Sequence, residues 1–472
     1  MKLTEISQYD AQPGQMIEWA LHPDTIAAAA EAAQDPRPAS YMQEAHVKMA
    51  ALLRDVDVDA PTWLATAFDI PGALDHDAME ATLLQWITRH ETLRSGLRFT
   101  GQDLERFTLD AATVSLDRTL VDEFSHGADV TRFLEDRFDE AANPLTWPPY
   151  IVVTVAREDA FTIYLAFDHS NVDGYSIAVI AQEIHELYAA ALAGRSAVLS
   201  SVGSYVDFAT TERQAADDID ASNESVVRWG EFVDTCGGEL PRFPLDLGVA
   251  PGEYPRQTGG CEWLLDPDDA EAFNIACKSA GGNFAAGVLA AASIVAYEQG
   301  DQSVYRTVLP FHTRSEPQWS ASLGWYIGLA PLEIPTAQAR DFDEVIRMAR
   351  HASSAAKPIA QVPFAKVCSL LDTALRPASV ISYIDGRIVP GAASWSEWNA
   401  HAFGKVAYGD EVYMWINRTS EGVYLTFRYP DTDVARRNVP TFIENTRNVL
   451  VSVARNGSYP MAGHLSEERV AA

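Results

Sequence analysis

Leu165–Ser176, LAFDHSNVDGYS, joins two segments of opposite periodicity. Before it runs Phe161–Phe167, a short apolar stretch rich in aromatic and β-branched residues that reads as a strand. After it, Ile177, Ile180, Ile184, Leu187, Tyr188 and Ala191 fall on one helical face, and Gly194 supplies a stop. His169 and Asp173 thus occupy a tight strand-to-helix connection, with Gly174 expected to turn the chain where a side chain would clash. A histidine fixed on a strand end and exposed by a loop suits general-base work, since imidazole titrates near neutral pH. A plainer account also fits: His169 a satisfied polar residue, Asp173 a helix N-cap, Gly174 a turn residue.

Outward from this segment the chain alternates strands and helices, which gives a mixed α/β class. Ile151–Val155 and Phe161–Phe167, split by the polar REDA, predict a hairpin. WLATAFDI (63–70) and GLRF (96–99) predict strands, and Met79, Leu83, Trp86, Ile87 and His90 predict a helix behind the acidic LDHD. Asp129–Ala142 has helical spacing as well. In the second half, strands are expected near 304–310, 412–416 and 424–428. A closing helix there turns Phe442, Ile443, Val449, Leu450 and Val453 inward.

The polar stretch 201–225, around the island SYVDFA, predicts a crossing segment between an N-terminal subdomain (1–200) and a C-terminal one (226–472). At 472 residues, 47% of them hydrophobic, the chain can fill two cores of ordinary size. The longest apolar run, 284–297, is shorter than the roughly 20 residues a bilayer span needs, so it reads as a buried helix and no transmembrane segment is expected.

The formal charge of -31 opposes binding to nucleic acid, and an acidic partner would need a local basic patch, for which Arg436 and Arg437 are one candidate. The first residues lack a secretory pattern. Cys236, Cys261, Cys277 and Cys368 are too scattered for a disulfide framework or a zinc site. Together these readings suit a cytoplasmic protein with no metal.

RHETLRSGLRF (89–99) closely resembles the arginine-histidine-glutamate signature of condensation domains from nonribosomal peptide synthetases. Asp168, His169, Asp173 and Gly174 are similar to that family's two-histidine, Asp-Gly signature, with Asp168 in place of the first histidine. SYVDFA (204–209), LGWYIGLAPLEI (323–334) and YPDTDVARRNVPTFIENTRNVL (429–450) resemble later motifs in the family's order. PGQMIEW (13–19) and PASYMQEAH (38–46) look closer still to the stand-alone polyketide-associated acyltransferases.

The resemblance implies a pseudo-dimer of two chloramphenicol-acetyltransferase-like subdomains with a tunnel between them and His169 midway along it. It implies acyl transfer from a phosphopantetheine thioester, on an acyl or peptidyl carrier protein or on coenzyme A, to an alcohol, with no bound cofactor. The expected product is an ester in natural-product or glycolipid biosynthesis. Amide formation on an amine, thioester hydrolysis and a non-catalytic docking module that binds carrier proteins stay open as alternatives. The resemblance further implies that Asp173 pairs with an arginine of the other lobe, for which Arg314 is the candidate. Ser382 and Trp325 are candidate tunnel residues, Ser382 as a donor to the developing oxyanion. Ordinary roles for Arg314 on the surface, Ser382 at a strand end and Trp325 in the core compete with these. Asp168, placed beside the base, is expected to raise its pKa by charge.

Overall fold

A computed structural model of the chain describes residues 1–56, 61–405 and 408–461. Two compact units divide it. The first comprises Met1–Asp218, Arg314–Ile327 and Ile388–Ala407; the second comprises Ile219–Thr313, Gly328–Arg387 and Tyr408–Ala472. The first crossing therefore falls inside the 201–225 stretch, but the units are not consecutive halves, which corrects the simple division at that point. Arg314–Ile327 and Ile388–Ala407 return to the first unit because side chains of the one and a strand of the other complete its structure. The stretch expected to be a plain crossing also holds a helix, Tyr205–Asp217, capped by Ser204.

The first unit is built on a seven-stranded sheet. Its spatial order is Lys2–Thr4, His401–Gly404, Trp63–Pro71, Ala160–Asp168, Tyr150–Ala156, Gly14–Leu21 and Leu116–Phe124. Every neighbouring pair is antiparallel except Lys2–Thr4 with His401–Gly404. Ala160–Asp168 is covered on both faces, which explains its unbroken apolar sequence. Ile163, Leu165 and Phe167 pack with Met79, Leu83 and Trp86 of the helix His76–Arg89 and with Ile177, Ile180 and Ile184 of the helix Gly174–Leu192. Tyr164 and Ala166 face the other way, toward Val130, Leu134 and Phe138 of the helix Gly127–Ala141.

In the second unit a six-stranded mixed sheet runs in the order Gln257–Leu265, Gly422–Pro430, Val412–Thr419, Ser379–Asp385, Tyr305–His312 and Ile327–Ile334. Its core is shared by the helices Phe284–Gly300, Phe342–Ile359 and Ala435–Asn456. The apolar run 284–297 lies in the first of these, where Phe284 and Ala286–Ala296 are buried. The closing helix buries Phe442, Ile443, Val449, Leu450 and Val453, the inward stripe expected of it. Among the described residues no single helix is long and apolar enough to cross a membrane; one pair, Pro267–Ser279 with Phe284–Gly300, has the length and composition but bends by 90°.

Candidate active site

The strand Ala160–Asp168 ends where its last carboxylate turns back on the chain. Asp168 Oδ1 accepts from the Ser170 main-chain N–H at 2.8 Å and so caps a single 3-10 turn that begins at His169. The His169 N–H donates to the Thr62 carbonyl at 3.3 Å, tying the turn to the start of the neighbouring strand. Asp173 is the N-cap of the helix Gly174–Leu192, accepting from Ser176 N at 2.7 Å and from Ser176 Oγ at 2.8 Å. Gly174 is the exposed first residue of that helix and its backbone is not left-handed, so the turning role expected of it is not what it does here.

Arg314 meets Asp173 inside the first unit. Its Nη2 donates to both carboxylate oxygens, at 2.9 and 3.1 Å, and to Ser176 Oγ at 2.9 Å, while Nη1 donates to the carbonyls of Trp319 and Ser322. Tyr326 N–H adds a fourth donor to Asp173, at 3.1 Å. Both side chains are almost wholly buried, at 2% exposure for Asp173 and 6% for Arg314. The expected partner is therefore found, yet it belongs to the same compact unit as Asp173 rather than to the other one. The guanidinium also lies 4.1 Å from the Tyr326 ring centroid, a desolvated cation–π contact.

Trp325, next in this segment, lies against His169. Its ring centroid is 3.8 Å from that of His169, with the planes tilted by 32°. His169 is half-buried overall, and its Nδ1 is buried without a hydrogen-bond partner. Burial, and after it the nearby charge of His46, push the His169 pKa down to about 4; its own carbonyl, Asp168 and Asp173 pull weakly the other way. Asp168 does act in the expected direction, but burial and His46 outweigh it, so the net shift is downward.

Asp168 is turned toward His46. Its oxygens lie 3.0 and 3.2 Å from His46 Nε2, and Oδ2 accepts from Thr62 Oγ1 at 3.2 Å. Burial works against charge on both partners, but the pair overcomes it. Asp168 is held below the usual carboxylate range, and the carboxylate in turn lifts the His46 pKa above that of a free imidazole. His46 also meets the edge of Trp325, with centroids 5.4 Å apart. Sequence reasoning gave His46 no role, although it is the last residue of PASYMQEAH.

Motifs outside the loop hold this arrangement in place. Glu183 of the helix Gly174–Leu192 accepts from Arg89 Nε at 2.9 Å and Trp86 Nε1 at 3.0 Å, and pairs with His90 Nε2 at 2.6 Å. Glu91 takes Arg37 and the Ser204 hydroxyl. Tyr205, from SYVDFA, donates to the Trp325 carbonyl at 3.0 Å. Gln43 Nε2 donates to the Ser170 carbonyl at 3.0 Å, so the helix Tyr41–Asp55 braces the loop from a further side.

Asp168, His169, Asp173, Gly174, Arg314 and Trp325 are thus gathered in the first unit. Ser382 lies in the second, on the strand Ser379–Asp385, with its hydroxyl buried and unpartnered. Arg436 is engaged by Asp431 at 2.6 and 2.9 Å, so half of the proposed basic patch is already neutralised. Among the described residues no three His, Cys, Asp or Glu side chains cluster as a metal would require.

Residues 61–379 match the family model described as Condensation domain. The chain belongs to the condensation-domain family. Over nearly its whole length it is similar to 2'-acyl-2-O-sulfo-trehalose (hydroxy)phthioceranyltransferase PapA1 of Mycobacterium tuberculosis (strain CDC 1551 / Oshkosh), 26% identical over 98% of this chain and 91% of the relative. Trehalose-2-sulfate acyltransferase PapA2 of the same strain is 28% identical over 96% of this chain and 97% of its own length. A solved structure of PapA2 acyl transferase superposes with a TM-score of 0.89 at 26% identity, covering 96% of this chain and all of that one. The first condensation domain of the calcium-dependent antibiotic synthetase, at 15% identity and a TM-score of 0.66 over 90% of this chain and 97% of that one, shares the fold. The architecture is the chloramphenicol-acetyltransferase-like one, and the protein is an acyltransferase.

Proposed function

We propose that this acyltransferase moves an acyl group from a phosphopantetheine thioester, on a carrier protein or coenzyme A, to a carbohydrate hydroxyl, forming an ester for glycolipid assembly, with His169 as general base. The observation that carries the reading is the setting of that imidazole: Nδ1 is buried without a partner, the Trp325 ring lies 3.8 Å away between centroids, and burial together with His46 favours the neutral ring. Nε2 takes the hydroxyl proton as the oxygen attacks the thioester carbonyl carbon. The tetrahedral intermediate then collapses, the C–S bond breaks, and the proton passes to the departing sulfur to give a free thiol and an ester. Asp173 and Arg314 exchange no proton in this scheme and hold the loop and Trp325 in register. The choice of a sugar acceptor rests on the two trehalose-acylating relatives.

The test is a panel of acyl-coenzyme A and acyl-carrier thioesters offered with trehalose, trehalose 2-sulfate and simple amines, read by intact mass of the products. An ester is expected. With the productive pair in hand, His169→Ala lowers turnover by about a hundred- to ten-thousandfold while the unfolding curve is kept. Unchanged turnover removes His169 as the base. Free acid without any acceptor marks a hydrolase, an amide changes the acceptor class, and no product from any pair favours a docking module.

A further inference from the structure

The helix Tyr41–Asp55 contributes a second histidine to the surroundings of the first, and nothing in the acyl-transfer scheme uses it. His46 lies between two members of the site. Its Nε2 is 3.0 Å from the fully buried Asp168 carboxylate, in the residue directly preceding His169, and its ring makes a T-shaped contact with Trp325, which in turn lies 3.8 Å from the His169 ring between centroids. Thr62 Oγ1 closes the group, at 3.2 Å from Asp168 and 3.3 Å from His46. A buried carboxylate with a histidine as its only basic partner gives that histidine reason to stay charged.

We propose that His46 is a positioning residue of this acyl-transfer site: anchored on Asp168, it holds Trp325 against His169, and its positive charge disfavours a second proton on His169. The inference rests on the reading of His169 as the base, and it explains how an aspartate is accommodated where the resembling signature has a histidine. Alone beside the base, Asp168 would stabilise the imidazolium. Paired with His46 it presents a compensated charge, which adds to the burial that keeps the base free. The other charged groups near His169 are Asp173, which favours its protonation, and Arg314, which neutralises Asp173.

Two variants separate this role from a merely structural one. His46→Gln keeps a polar side chain and a donor for Asp168 but removes the charge. The acid limb of kcat/KM moves to higher pH, with about a tenfold loss on that limb and a smaller one at its plateau. Asp168→Asn releases the proton of His46, so both charges vanish together and the limb moves less than in His46→Gln.

The same ordering is read without substrate by NMR of ring-labelled histidines, the His169 signal being assigned by its loss in His169→Gln. The His169 midpoint rises in His46→Gln and rises less in Asp168→Asn. An unmoved midpoint in folded His46→Gln overturns the inference, whatever the activity. A shifted midpoint in a protein whose turnover does not depend on His169 keeps the electrostatic coupling and instead removes the proposed function.

Discussion

Arg314 Nη2 reaches both oxygens of Asp173, at 2.9 and 3.1 Å, although 141 residues separate the two in sequence. The same guanidinium holds the carbonyls of Trp319 and Ser322, so one side chain fixes the N-cap of the helix after the base and the segment that carries Trp325.

Replacing Asp173 with Asn leaves a buried guanidinium short of its counter-charge, and breaking such a pair typically costs about 3–5 kcal/mol. Chemical denaturation of Asp173→Asn and of Arg314→Met is expected to show losses in this range. The double variant should lose less than the sum of the two. Losses below about 1 kcal/mol for both singles would mean that the pair does not organise the site.

The pH dependence follows from the state of His169. Its pKa is pushed down to about 4, so the free base persists at neutrality. As the pH falls, kcat/KM should hold through the range where an ordinary histidine, at about 6.5, takes up its proton, and decline only on approach to the lower value. An acid limb centred near 6.5 would contradict this.

Glu183 gathers donors from Trp86, Arg89 and His90, all packed at the buried end of the arginine-histidine-glutamate motif. Glu183→Ala strands these groups without an acceptor, with an expected loss of about 3–5 kcal/mol for the buried ionic partners. Glu183→Gln, which can still accept from one or two of them, should lose less. The check is the midpoint of urea unfolding at constant slope.

Gly324 is required by close packing. A Cβ there would lie 2.4 Å from two ring carbons of Tyr205, and Tyr205 itself holds the Trp325 carbonyl. Gly324→Ala is expected to cost about 1–3 kcal/mol through overpacking and to lower kcat as Trp325 shifts against His169. An unaltered kcat in a destabilised protein would show that the position of Trp325 does not matter for turnover.

Much of the fold was legible where the local pattern and the tertiary environment agree. Ala160–Asp168 is buried on both faces, so its sequence is continuously apolar; the helix Gly174–Leu192 opens with an aspartate cap and keeps one apolar stripe. The 3.6-residue stripe Phe442–Val453 was equally plain. What escaped is long-range. No local pattern indicates that Arg314 and Trp325 join the first unit, since they enter it as a short return of 14 residues without strand or helix periodicity. Nor does the pairing of Asp168 with His46 follow from either sequence neighbourhood, and without it the charge that offsets Asp168 beside His169 was missed.

The family match begins at residue 61 and ends at 379, but the sheet under the base ignores those limits. Gly14–Leu21 is an inner strand hydrogen-bonded on both sides, and His401–Gly404 separates Lys2–Thr4 from Trp63–Pro71. A fragment trimmed to the matched residues would bare unpaired amides and carbonyls on Trp63–Pro71, Tyr150–Ala156 and Leu116–Phe124 and discard the helix beneath Ser170. Such open edges invite strand addition between molecules, so the trimmed fragment should precipitate where the full chain does not.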